Sequence, residues 1–206
     1  MPARLVLFID YQNIFNGARE CFHTGVGPST AGQFNPLELG ELVVSRGIGE
    51  RELQEVRVYR GRPDSLKDPK TYGANLRQSE AQVRAGRGKV KVLARTLRYP
   101  SDWPKTPAQE KGVDVALAVD FVQMAVFGEY DVGVIMSTDT DLKPALEAVL
   151  RLPPATRPTC EVAAWANPGG HARRLSIPST RIWCHWLDRA DYLSVVDTTD
   201  YNIPKS

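Results

Sequence analysis

One stretch narrows the choice of fold more than any other: KGVDVALAVDFVQMAVFGEYDVGVIMSTDTDL, residues 111–142. Its residues 113–127 form a nearly continuous apolar segment of helical length, interrupted by Asp114 and Asp120, and Gly128 offers a stop. Residues 131–136 are short and rich in β-branched side chains, as a buried strand is. They run into Ser137-Thr138-Asp139-Thr140-Asp141, a turn with two carboxylates two residues apart, and then into another helix. Buried strands of parallel sheets are apolar runs, and open α/β sheets place their sites at the carboxyl ends of the strands. A helix that leads into such a strand runs antiparallel to it, so the helix start and the strand end share an edge. Asp114 and Asp139 are therefore predicted to meet.

The rest of the chain repeats the alternation. RLVLFID (4–10) is a short strand closing on Asp10, followed by a helix carrying Ile14, Phe15, Ala18 and Phe22 on one face. Asp10 fits an N-cap of that helix and equally fits a site residue at a strand end. Asn13 suits a turn or cap, with substrate contact as the other use. Residues 24–36 are rich in Gly, Pro, Ser and Thr and read as an exposed loop. A short helix (37–44), a strand (55–61), a long polar helix (68–85) and a third strand (89–97) follow. After the central unit come a helix (143–152), a strand (159–166), a short helical piece (172–175) and an edge strand (181–186). We expect a single α/β domain over residues 1–190, a three-layer arrangement with a central, mainly parallel sheet, and a tail over 191–206.

Composition mostly excludes. The 206 residues are one ordinary domain, and no stretch approaches the ~18–20 apolar residues of a membrane span. The first residues enter a strand directly, without a signal-peptide pattern. Three widely spaced cysteines, Cys21, Cys160 and Cys184, suit a reducing compartment, so a cytoplasmic protein is expected. A net charge of +2 says little by itself. Between residues 46 and 105, however, Lys and Arg outnumber Asp and Glu by about two to one. Such a concentration fits either a polyanion-binding face or a plain solvated one. Arg84, Arg87 and Lys89 are the candidate phosphate contacts within it. Trp103, in a Pro-rich loop, could stack on a base or pack the loop down.

Three places thus bring carboxylates to one sheet edge: Asp10, Asp114, and Asp139 with Asp141. Crowded carboxylates repel, and a hard cation such as Mg²⁺ or Mn²⁺ is what oxygen-only ligands suit. His23, His171 and His185 with the three cysteines have no zinc spacing. Neither a nucleophile elbow nor a Walker A loop is present. Asp120, six residues after Asp114, is turned roughly 120° away and ~9 Å further along the helix. It is predicted to be a buried structural acid in need of hydrogen-bond donors.

The blocks FIDYQN (8–13), KGVDVALAVD (111–120) and STDTDL (137–142) resemble, in that order, those of NYN domains of the LabA-like (DUF88) group within the PIN-like nuclease superfamily. The resemblance implies a Rossmann-like fold and a Mg²⁺- or Mn²⁺-dependent ribonuclease. Carried over by position, the metal ligands would be Asp10, Asp114 and Asp139, with Asp141 beside them as a catalytic carboxylate. Thr138 and Leu142 depart from the Gly and aromatic common in the family, and neither change removes an acid. The implied mechanism is in-line hydrolysis, with a carboxylate (Asp141 or Asp139) orienting the water. Lys111 could contact phosphate or simply be solvated; Ser137 could support the turn or bind the substrate backbone. RNA is the expected partner, with single-stranded DNA open, and so is the oligomeric state, a homodimer included.

Other classes make different demands. A haloacid-dehalogenase-type phosphatase wants an acid where Gln12 stands. A Toprim domain shares the Asp139-x-Asp141 pair but wants Glu where Asp10 stands. A non-catalytic nucleic-acid-binding or adaptor protein would keep the fold and need none of the acids.

Overall fold

The computed structural model describes residues 1–23, 27–167 and 172–204. Six strands and six α-helices are seen among them: β1 (Ala3–Asp10), α1 (Tyr11–Phe22), α2 (Pro36–Ser45), β2 (Arg51–Arg62), α3 (Pro69–Ala85), β3 (Val90–Thr96), α4 (Val113–Val126), β4 (Val132–Met136), α5 (Lys143–Leu150), β5 (Thr159–Trp165), β6 (Trp183–Leu187) and α6 (Arg189–Val195). A single 3₁₀ turn, Thr140–Leu142, precedes α5.

All six strands join one sheet in the order β3-β2-β1-β4-β5-β6, and every pairing is parallel. The mainly parallel sheet read from the sequence is thus wholly parallel, and the fold is the Rossmann-like, PIN-like type. Alternation along β1 makes the three layers. Leu5, Leu7 and Ile9 pack on one face with Ile14 of α1 and Leu39 of α2. Val6 and Phe8 pack on the other with Leu117 and Phe121 of α4 and Leu146 of α5. Because β1 lies between β2 and β4, the strand order reverses there, where open α/β sheets leave a crevice for ligands.

Local chemistry starts the helices. Asp10, Asn35 and Asp68 each cap a helix by accepting a first-turn amide, and Pro36 and Pro69 occupy first positions. The start of α4 differs: Gly112 occupies the cap position at φ 73°, in the left-handed region, with no side-chain cap.

Several expectations need correcting. The stretch over residues 31–34 is buried rather than an exposed loop, because Phe34 fills the core beneath Tyr11, 5.2 Å between ring centroids. Residues 172–175 are not helical; Leu175 reaches the core from an irregular segment. The boundary at 190 cuts through α6, whose Tyr192 is 1% exposed and stacks on Phe22 at 5.2 Å. Beyond α6, the Tyr201 carbonyl accepts from Arg77 Nε at 2.9 Å, so this stretch is not a free tail. Residues 24–26 of the predicted loop, and His171, lie outside the described residues. No helix among those described is long and apolar enough to cross a membrane.

Candidate functional site

Asp10 ends β1 between Tyr59 of β2 and the end of β4. It fills both roles open to it. Oδ1 accepts from Asn13 N at 3.3 Å, capping α1, while Oδ2 accepts from Ser137 Oγ at 3.1 Å. The Ser137 oxygen in turn accepts from Asp139 N, also at 3.1 Å. One hydroxyl therefore ties the two acids at the ends of β1 and β4 to each other. Asp139 begins the 3₁₀ turn and accepts from Asp141 N at 3.0 Å. Asp139 is half-buried and Asp141 exposed.

Electrostatics reveals a fourth member. Burial pushes the Asp10 carboxyl up to about 6; the Asn13 amide and the Ser137 hydroxyl work against that, and the charges of Glu110 and Asp139 add to it. Glu110 is itself raised, first by loss of water around its carboxylate and also by the charge of Asp114, while the Gly61 amide and Arg60 oppose the rise. Asp10 thus feels Glu110 and Asp139, and Glu110 feels Asp114, which links the four acids into one chain. Its acids come from the ends of β1 and β4 and from the entry to α4. Gly61 makes the approach of Glu110 feasible: its N–H donates to Oε1, and a Cβ there would sit 2.7 Å from that oxygen. None of these acids is within ion-pair distance of a lysine, arginine or histidine among the described residues.

Compared with known families, residues 4–152 match the NYN domain. The chain belongs to the NYN domain family. NYN domains are part of the PIN-like nuclease superfamily. No curated protein matches the chain. Among solved structures, a Vibrio parahaemolyticus protein of unknown function is 16% identical with a TM-score of 0.48, the alignment covering 80% of this chain and 81% of that one.

The remaining residues singled out in the sequence find varied places in this NYN domain. Asn13 is a brace: its Oδ1 accepts from Thr138 N at 3.0 Å and from Thr138 Oγ1 at 3.1 Å, holding α1 to the turn after β4. Ser137 is fully buried, so its expected contact with substrate gives way to its bridging of Asp10 and Asp139. Lys111 is exposed beside Gly112. Asp120 stands apart, accepting from Arg57 Nη2 and Tyr59 Oη, each at 2.7 Å, the donors that its burial demanded. Trp103 packs edge-on against Tyr99 at 4.9 Å.

Arg84, Arg87 and Lys89 must be moved furthest. They lie at the end of α3 and just before β3, so they occupy the amino edge of the sheet, opposite the acids. The α3 helix has 17 residues, ~25 Å at 1.5 Å each, and it carries the chain from one edge to the other. Bases that do reach the acidic edge are those at the ends of β2 and β3. A Cβ on Gly112, where α4 begins, would stand 3.8 Å from Arg95 Nη1. Arg60 and Arg62 pair alongside Ala94 and Thr96. Their signal was available in YRGR and LART: a base at a strand's carboxyl end deserves the same reading as an acid there.

Proposed function

We propose that this NYN domain is a metal-dependent ribonuclease, of the LabA-like kind, that hydrolyses RNA phosphodiester bonds at the carboxyl edge of its sheet. The observation that carries the proposal is the chain of acids from Asp139 through Asp10 and Glu110 to Asp114. The chain is assembled from distant segments, and among the described residues no lysine, arginine or histidine stands within ion-pair distance of it.

The donor set is wholly carboxylate oxygen, which suits Mg²⁺ or Mn²⁺ and not zinc. Among the described residues, no three acids, histidines or cysteines converge on one point closely enough to enclose an ion. Mg²⁺ tolerates that arrangement, since it keeps several waters and takes one or two carboxylates directly. Asp10, Asp114 and Asp139 would hold the ion, directly or through its waters. Bound there, it would supply a water of lowered pKa and offset charge in the transition state.

The protein's own groups do the rest. Ser137 ties the Asp10 carboxylate to the Asp139 backbone, and Asn13 holds the turn that carries Asp139. Asp141, exposed on the rim, would orient the attacking water. Arg95 would meet a substrate phosphate, a contact that adds affinity without sequence choice. A cavity of about 460 Å³ beside Asn13 and Thr138, reaching Asn16 and Trp165, offers room for a nucleoside.

The test is incubation of purified protein with mixed labelled RNAs in Mn²⁺, Mg²⁺ or EDTA, with Asp139→Asn alongside. Cleavage by the parent in metal alone, absent from the folded variant, is expected. RNA binding with no cleavage under any condition would make the protein a non-catalytic binding or adaptor domain instead.

A further inference from the structure

Near the carboxyl end of β2, within reach of the charge of Glu110, Arg60 is almost sealed from water, with 8% of the residue exposed. Strand alternation turns it away from its neighbour Tyr59, toward the face covered by α1 and α3. Its guanidinium lies over the Tyr11 ring, 4.3 Å from the centroid. Nη1 donates to Gln78 Oε1 at 2.9 Å. Nε has no acceptor, and no carboxylate comes within ion-pair distance, among the described residues. Buried arginines are normally paired, because a charge stripped of water without compensation is costly. The neighbourhood shows that cost: burial lowers the Arg60 pKa, and the charges of Tyr11 and Glu110 hold it up.

Arg60 lines a pocket of about 210 Å³ together with Tyr11, Gln33, Asn75, Gln78 and Tyr201. No acid lines it among the described residues. Its hydrogen bonding leaves several donors over, together with one acceptor, Asn75 Oδ1, that also lacks a partner. Gln78 Nε2 donates to Tyr11 Oη at 2.7 Å and to Gln33 Oε1 at 3.2 Å. The Tyr11 hydroxyl proton and the Gln33 amide hydrogens thus remain without acceptors among the described residues. Asp197, whose charge reaches Tyr11, has both oxygens engaged, by Thr199 N and Tyr201 Oη. A buried unpaired guanidinium, spare neutral donors and an acid-free wall make a receptor for a compact anion with several acceptor oxygens.

We infer that this pocket is a phosphate-binding site, distinct from the acidic edge, and that it takes a phosphate of the RNA, either a 5′-terminal monoester or an internal diester. The choice of RNA as the source rests on the ribonuclease function proposed above; the anion site itself does not. Tyr11, which lines the pocket, directly follows Asp10 in sequence, so the pocket adjoins the end of β1.

The experiment is done in EDTA, where no metal-dependent cleavage occurs. It compares the parent with Arg60→Gln, which removes the charge, and with Thr71→Phe, which narrows the mouth from an exposed rim position and leaves Arg60 in place. Sodium phosphate, against sodium chloride at equal ionic strength, should raise the parent's melting temperature saturably. The rise should vanish in Arg60→Gln and shrink in Thr71→Phe. Fluorescence anisotropy then compares 5′-phosphorylated and 5′-hydroxyl RNAs of one sequence. A parent preference of about tenfold for the 5′-phosphate, abolished in both variants, assigns the terminal monoester. Equal parent affinities that both variants weaken about tenfold assign the internal diester.

A phosphate shift that is absent from the parent or undiminished in the variants, with parental RNA affinities, overturns the site. If Arg60→Gln does not fold, the same outcomes are read from Thr71→Phe. A catalytically inactive protein that shows the Arg60-dependent shift loses the nuclease function and keeps this site. An active one with unaltered variants does the reverse.

Discussion

Asp114 and Asp120 stand on the same helix, yet the groups around them follow opposite rules. On the flank of α4, Asp120 meets Arg57, and the neighbouring Glu55 takes both Arg57 and Lys91, each at 2.6 Å. At the edge where α4 begins, Asp10 and Glu110 receive only neutral donors: an amide and a hydroxyl for one, an amide for the other. Charge that a fold keeps for its own stability is matched from within. Charge left unmatched, with the Asp10 and Glu110 carboxyls pushed toward protonation first by burial and then by neighbouring acids, would under the proposed function be held for a cation that comes from outside. The contrast separates the paired acid from the acids of the candidate site better than burial does, since Asp114 and Asp120 are both half-buried.

The largest effect that could break this contrast is on catalysis. Asp10→Asn and Asp139→Asn should each lower metal-dependent RNA cleavage by about two orders of magnitude or more, with folding intact. Asp120→Asn should leave cleavage near the parental rate and lower stability by about 1–3 kcal/mol. Denaturation curves and cleavage rates on the three variants decide the matter. Inactivation by Asp120→Asn with undiminished stability would erase the distinction.

Next comes pH. The Asp10 carboxyl stands at about 6 in the fold against ~3.9 in an unfolded chain, so the native state keeps a proton that the unfolded state has lost. Its contribution to stability is full below pH ~4 and is lost as pH rises through about 6, an effect on the order of 3 kcal/mol. Metal-free parent should therefore lose stability over that window relative to Asp10→Asn, measured by urea denaturation at each pH. Parallel curves for the two proteins would mean that Asp10 is not strained by its surroundings.

A smaller effect is expected from the metal itself. Mn²⁺ at ten times its dissociation constant should add ~1.4 kcal/mol, roughly 3–6 °C of melting temperature for a chain of this size. Asp139→Asn should lose most of that shift, and Asp120→Asn should keep it. An equal shift in all three proteins would place the ion elsewhere.

The smallest prediction sharpens the division between the two sheet edges. Arg95→Ala should weaken RNA binding and flatten its salt dependence by about one counterion. The triple Arg84→Ala, Arg87→Ala, Lys89→Ala protein should bind RNA as the parent does. Binding titrations at several salt concentrations test both, and the reverse result would put the RNA on the amino edge.

Much of the site was legible because period and edge rules act on short, strongly patterned segments. The apolar run of α4, the five-residue β4 and the acid at the end of β1 each carry their placement in local sequence. Glu110 was not legible. It precedes the helix from an irregular segment, and its position depends on a glycine 49 residues earlier that leaves space for it. Arg84, Arg87 and Lys89 were misplaced because charge density along a chain says nothing of which sheet edge a residue occupies; the direction of α3 decides that. Phe34 and α6 were missed because Gly- and Ser-rich neighbours hide a buried anchor, and because a seven-residue helix has too little period to announce itself.

The bridge of Ser137 between Asp10 and Asp139 spans 127 residues of chain from its own position to Asp10, and that separation has a meaning in time. During synthesis at ~5–20 residues per second, Asp10 would leave the ribosome about 6–26 s ahead of Asp139. Throughout that interval β1 has only β2 as a strand neighbour; its other side stays open until β4 is made. A nascent chain that already exposes Asp10, Glu110 and Asp114 still lacks the strand that fixes their geometry. The acid cluster thus becomes complete only once β4, the fourth strand in chain order, has been made, and under the function proposed above a nascent chain that ends before Asp139 would carry no competent nuclease.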